Sequence, residues 1–151
     1  MATRIKAICK ELGIRPDLIR RLSIANFEAE MNVIMYADEA ELTFLVLPEE
    51  VRVVVTDRGQ GIPNIELAMT PGWSTATHEM RARGFGAGLG LPNIKNSADE
   101  FQVESTPGVG TTLTYVVRLA SGPGMSGPQQ AGPRGNADRP AVQRLFGGGP
   151  G

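Results

Sequence analysis

Arg83-Gly84-Phe85-Gly86-Ala87-Gly88-Leu89-Gly90-Leu91-Pro92 puts glycine at every second position four times in succession. Such a run strips side chains from the backbone, opens positive φ, and lets another molecule come close to the N–H groups. Pro92 suits the first turn of a helix that continues through Asn93-Ile94-Lys95-Asn96-Ser97-Ala98. A flexible loop feeding a helix N-terminus gathers unpaired N–H groups and the positive end of the dipole at one place, which stabilises an anion. Phosphate is the expected occupant, although a glycine run of this kind also serves as a plain hinge. Two familiar phosphate loops are excluded. Leu89 and Leu91 break the G-x-G-x-x-G register, Met80-Arg81-Ala82-Arg83 before it is not strand-like, and no Gly-Lys-Ser/Thr follows.

The bulk properties narrow the setting. With 151 residues and 41% hydrophobic content, the chain can bury one core but hardly two. Fifteen basic against sixteen acidic residues leave a net charge of -1, which argues against charge-driven binding to nucleic acid or a membrane surface. Small molecules and proteins are the expected partners. Cys9 is the only cysteine, so no internal disulfide forms; Arg4, Lys6, Lys10 and Glu11 occupy the stretch where a signal peptide needs an apolar run. No segment approaches membrane-spanning length, and a cytoplasmic location is expected.

Thr3 can cap a short helix carrying Ile5, Ile8 and Leu12 on one face and stopping at Gly13. Pro16 opens a longer helix to about Ala37, with Leu18, Leu22, Ala25 and Ala29 on one stripe and Phe27, Met31, Ile34 and Met35 beside it. That helix is expected to be mostly buried. Glu28 and Asn32 sit within it, four residues apart and so on one face. A solvent-facing polar stripe with Arg21 is the simpler reading; if they are instead buried, something polar must meet them, because an unpaired buried carboxylate costs several kcal/mol.

Strands are predicted over residues 41–47 and 51–56, hinged at Pro48-Glu49-Glu50, with Leu42, Phe44 and Val46 alternating toward one buried face. The second ends in Asp57-Arg58-Gly59-Gln60-Gly61-Ile62-Pro63, a turn by default, and also a way to offer one acceptor-only carboxylate to the exocyclic amine of an adenine. Residues 65–83 are irregular and read as a lid between Asp57 and the glycine loop. His78 reads as a surface imidazole, Trp73 as a packing residue, and no zinc site is supported. Two further strands, 101–105 and 111–119, flank Thr106-Pro107-Gly108-Val109-Gly110. Four strands and three helices with hairpin-like joins imply an α+β fold, a two-layer sandwich with helices on one face of a mostly antiparallel mixed sheet. Residues 121–151 hold nine of the nineteen glycines and five of the eleven prolines, too little apolar surface to fold alone. The expected organisation is a domain over 1–120 and a disordered tail over 121–151, whose one apolar island is Ala141-Val142-Gln143-Arg144-Leu145-Phe146.

Four boxes in this order resemble the GHKL (Bergerat) superfamily of ATP-binding domains: Glu28-Ala29-Glu30-Met31-Asn32, Asp57-Arg58-Gly59-Gln60-Gly61, Gly84 to Gly90, and Gly108-Val109-Gly110-Thr111. The resemblance covers roughly residues 3–119. Gly72-Trp73-Ser74-Thr75 and Gly88-Leu89-Gly90-Leu91-Pro92 are most similar to the bacterial anti-sigma-factor serine/threonine kinases. It implies ATP and Mg²⁺ as cofactors, with Asn32 coordinating Mg²⁺ and Asp57 receiving the adenine amine. Gly59 and Gly61 would let the base sit close, Thr111 would support that contact, and Gly84, Gly86, Gly88 and Gly90 would wrap the phosphates. Glu28, one helical turn before Asn32, is placed to take the proton from a hydroxyl attacking the γ-phosphate.

The implied activity is a regulatory serine/threonine kinase acting on an anti-anti-sigma-like or sigma-like protein partner, and relatives often form homodimers. Two other outcomes are open: an ATP-gated binding switch without catalysis, and an ATPase that needs no partner. The chain departs from the family at its start, where a strand usually precedes the first helix; either the start is shortened or the sheet lacks an edge strand and exposes backbone for pairing. Met35-Tyr36 also replaces a basic or His-containing turn, and Asp38-Glu39-Ala40 a glycine-rich one.

Overall fold

In the computed structural model, residues 2–73, 90–119 and 141–144 are described. α1 (Ala2–Glu11) leads into α2 (Pro16–Tyr36), which begins with Pro16 in its first turn and Asp17 beside the positive end of the dipole. Leu18, Leu22, Ala25, Ala29 and Val33 recur at three- and four-residue steps and are all buried. The rest of the helix is wetter than its composition suggests. Phe27 and Ile34, expected beside the buried stripe, are 52% and 53% exposed. Phe27 stands about 200° around the helix from Ala25, so a helix that covers a sheet with one face must leave it out.

α2 runs without a turn into β1 (Ala37–Val46), so the strand starts four residues before the expected 41. β1 pairs with β2 (Glu50–Gly59), and a register shift between Ala37 and Glu39 absorbs the bend out of the helix. β2 pairs with β4 (Gly110–Arg118), and β4 with β3 (Glu100–Thr106). Every neighbouring pair is antiparallel. The result is the expected α+β architecture, with α1, α2 and α4 (Gly90–Ser97) layered on one face of the sheet and a short α3 (Ile65–Ala68) in the connection. No helix among the described residues is long and apolar enough to cross a membrane.

The core follows from strand periodicity. Val51, Val53 and Val55 on β2, Leu113, Tyr115 and Val117 on β4, and Leu42 and Phe44 on β1 point to the helix layer and are buried. Removing a side chain such as Leu22 would cost about 2–5 kcal/mol through lost burial and the cavity left behind. One polar bond crosses this core: the Tyr115 hydroxyl donates to Asn26 Oδ1 at 2.6 Å, fixing α2 to β4. Burial pushes the Tyr115 hydroxyl strongly toward its neutral form. At the far end of α4, Arg21 reaches from α2 to the Ser97 carbonyl at 2.9 Å and to Asp99 at 3.0 Å.

The region assigned to a disordered tail contains a fifth strand. β5 (Ala141–Arg144) pairs antiparallel with β1, Glu41 opposite Arg144 and Phe44 opposite Ala141, giving the sheet order β3-β4-β2-β1-β5. Ala141–Arg144, the first four residues of the apolar island, therefore occupy the β1 edge of the sheet. Weak burial potential says how little a segment can do alone, not whether an existing strand edge will recruit it.

Candidate functional site

The predicted residues that the structure describes fall into two groups, one on the sheet and one between α2 and α4. The first lies on the sheet. Asp57 continues the inward stripe of Val51, Val53 and Val55, and Thr111 continues that of Val117, Tyr115 and Leu113, so two buried apolar rows each end in a polar side chain. The two are direct cross-strand partners, and the Thr111 N–H donates to Asp57 Oδ1 at 3.1 Å. Partial burial raises the Asp57 pKa, and the Thr111 N–H opposes that rise. One carboxylate oxygen is thus held, and the other has no hydrogen-bond partner among the described residues.

The turn after β2 is pinned against the same strands. Gly61 has φ 70°, and a Cβ there would run into the Thr106 carbonyl. Gly59 is closed off likewise by the Tyr36 carbonyl at the helix–strand junction. Both glycines are therefore demanded by packing of the protein on itself. Ser105, which has no counterpart among the expected site residues, ties this turn to Thr111: its hydroxyl accepts from the Ile62 N–H at 2.7 Å and lies 2.8 Å from Thr111 Oγ1 and 3.1 Å from the Gly110 carbonyl. One proton order satisfies all three, with Thr111 donating to Ser105 and Ser105 to the Gly110 carbonyl.

The second group lies between α2 and α4. Glu28 and Asn32 project from α2 toward the first residue of α4, where a Cβ on Gly90 would stand 3.2 Å from Asn32 Oδ1 and 3.5 Å from Glu28 Oε2. α4 starts at Gly90, two residues earlier than Pro92 suggested. The Asn93 amide donates to Glu28 Oε1 at 3.0 Å, which supplies the polar partner a half-buried carboxylate needs. Asn93 follows Pro92 in the quoted stretch, but nothing local marked it as the partner of a residue 65 positions away. Gly84, Gly86 and Gly88, together with most of the expected lid and His78, lie outside the described residues.

In the second group Asn32 presents a neutral amide oxygen to Gly90, a donor of the kind Mg²⁺ takes when it binds through one or two protein oxygens and completes its shell with phosphates and water. Among the described residues no cluster of three His, Cys, Asp or Glu side chains could hold a metal, so a bound cation would rely on such phosphate and water ligands.

Residues 18–121 match the family model described as histidine kinase-, DNA gyrase B-, and HSP90-like ATPase. The chain belongs to this family. It is 30% identical over 113 residues, 72% of this chain and 79% of the relative, to the serine/threonine-protein kinase RsbT of Bacillus subtilis. It is 32% identical over 116 residues, 74% of this chain and 78% of the relative, to an anti-sigma F factor of Caldanaerobacter subterraneus. Among solved structures, the mycobacterial sensor histidine kinase MprB superposes with a TM-score of 0.51 at 20% identity, over 66% of this chain and 71% of that one, a likeness of fold.

Proposed function

We propose that this protein is a Mg²⁺-ATP-dependent serine/threonine kinase of the anti-sigma-factor type, acting in the cytoplasm on a regulatory protein partner. In this reading Asp57 accepts the adenine amine through its free carboxylate oxygen while Thr111 and Ser105 hold the other side of the turn. Gly84, Gly86, Gly88 and Gly90 wrap the phosphates, and Asn32 contributes an oxygen to Mg²⁺, which would neutralise charge on the phosphates. Glu28 receives the proton of a Ser or Thr hydroxyl on the partner as its oxygen bonds to the γ-phosphorus and the bond from that phosphorus to ADP breaks.

The observation that carries the reading is the grouping of Glu28, Asn32 and Asn93 under the first turn of α4, at the end of the glycine run. It is supported by the RsbT and anti-sigma F relatives, whose names describe a serine/threonine-protein kinase and an anti-sigma factor. The test is a calorimetric Mg²⁺-ATP titration of the wild type beside Asp57→Asn and Glu28→Ala. Asp57→Asn is expected to weaken binding by about tenfold or more, roughly 1.4 kcal/mol. Glu28→Ala is expected to bind ATP normally and to lose phosphate transfer to the partner. Absence of saturable binding by the wild type would refute the reading, and retained transfer by Glu28→Ala would remove Glu28 from it.

A further inference from the structure

On the outer side of α1 and α2 lies an open cleft of about 860 Å³ that runs up to Glu28. Its α2 wall includes Arg20, Ile24, Phe27 and Glu28, spaced i, i+4, i+7 and i+8 and therefore one continuous stripe along the helix. Ile24 is 43% and Phe27 52% exposed, an apolar pair that the described residues leave uncovered. The opposite wall carries Lys6 and Lys10, one helical turn apart on α1. Lys6, Lys10 and Arg20 are all exposed, and none has a side-chain hydrogen bond or ion pair among the described residues. Three free cations against the single carboxylate of Glu28 make this a positive cleft on a chain whose net charge is -1.

We infer that this cleft docks an acidic, apolar-anchored segment of the protein that receives the phosphoryl group, a deepening that rests on the kinase reading above. The direction of approach supplies the reason. Gly90 and Asn93 of α4 stand against Glu28, and the cleft reaches the same residue along the Arg20, Ile24 and Phe27 stripe of α2. In-line transfer needs the hydroxyl opposite the departing ADP, and a segment lying along Arg20, Ile24 and Phe27 delivers a hydroxyl to Glu28 from the outer side. Lys6, Lys10 and Arg20 would steer glutamates or aspartates onto the rim, while Ile24 and Phe27 take the apolar anchor that accounts for most of the affinity.

The test uses the full chain and a fluorescent amphipathic helical peptide that carries a leucine stripe flanked by glutamates and one serine, beside its lysine-for-glutamate counterpart. The acidic peptide is expected to bind with an affinity that falls as salt rises, and the basic one not to bind. Phe27→Ser and a Lys6→Glu, Lys10→Glu, Arg20→Glu triple variant should each weaken the acidic peptide by about tenfold or more. ATP affinity of both variants, measured in parallel, should stay at the wild-type value; this reports an intact fold. No binding of the acidic peptide to wild type, or equal binding to the variants, overturns the proposal. So does conversion of a wild-type dimer to monomer by Phe27→Ser, which would make a second copy the occupant. If the peptide binds as expected but wild type neither holds Mg²⁺-ATP nor phosphorylates the serine, the docking surface stands and the kinase reading falls.

Discussion

Asn93 donates its side-chain amide to Glu28 Oε1 at 3.0 Å, joining the carboxylate of α2 to the first turn of α4 across 65 residues of sequence. The bond restricts the Glu28 rotamer and leaves Oε2 facing Gly90. Asn93→Ala should lower the rate of phosphate transfer by about tenfold to a hundredfold, the equivalent of about 1.5–3 kcal/mol for a hydrogen bond to a charged group, with ATP affinity little changed. Single-turnover transfer measured beside ATP titration checks this; a parallel loss of ATP affinity would mean that Asn93 shapes the pocket and does not merely orient Glu28.

Asp57 opposes folding when it is ionised, because burial penalises its charge and the Thr111 N–H offsets only part of that. Its native pKa is raised above the unfolded value near 3.9, so the native state holds the proton more tightly. Stability from this group therefore declines as pH rises from the unfolded value through the native one, and the cost is complete at neutral pH. Asp57→Asn keeps an oxygen for the Thr111 N–H and removes the charge. The nucleotide-free variant should have a higher Tm than wild type at neutral pH, and the advantage should shrink as pH falls toward 4. Thermal melts across that range test the sign, and a lower Tm for the variant at neutral pH would contradict it.

Tyr115→Phe removes the donor to Asn26 Oδ1 inside the core while preserving ring volume. The unpaired amide oxygen should cost about 1–3 kcal/mol in denaturant unfolding. Restoring the loss with Asn26→Leu in the same chain would confirm that the penalty is an unsatisfied polar atom.

Removing residues 120–151 takes away β5 and leaves the backbone of β1 from Glu41 to Phe44 without its partner strand. An open edge of this kind pairs with whatever extended chain it meets. The truncated protein should self-associate more strongly in sedimentation than the full chain. A mixture with a synthetic peptide of residues 139–147 should reverse this, and no change in association would show that the β1 edge is protected by other means.

Most of the fold was legible along the chain because its signals are local. Leu18, Leu22, Ala25 and Ala29 announce a helix face by their spacing, and Leu42, Phe44, Val53 and Val55 announce strands by alternation. Asp57, Glu28 and Asn32 stood out as polar residues at the end of, or inside, apolar patterns, and four boxes in order pointed to one family. Which polar atoms meet is a different kind of fact. The Asn93–Glu28 bond, the Ser105 hydroxyl beneath Thr111 and the Tyr115–Asn26 bond each join residues brought together by strand register and helix packing, with no periodicity to mark them.

What the sequence determined by itself was the helices and the four central strands, together with the candidate site residues, since side-chain size, charge and φ freedom act within a few residues of chain. Only the tertiary structure decided that Phe27 and Ile34 face outward, that β1 begins at Ala37 directly from the helix, and that Ala141–Arg144 closes the sheet edge. Those outcomes depend on which face of α2 the sheet can cover and which strand edge remains unpaired, quantities set by the packed assembly as a whole.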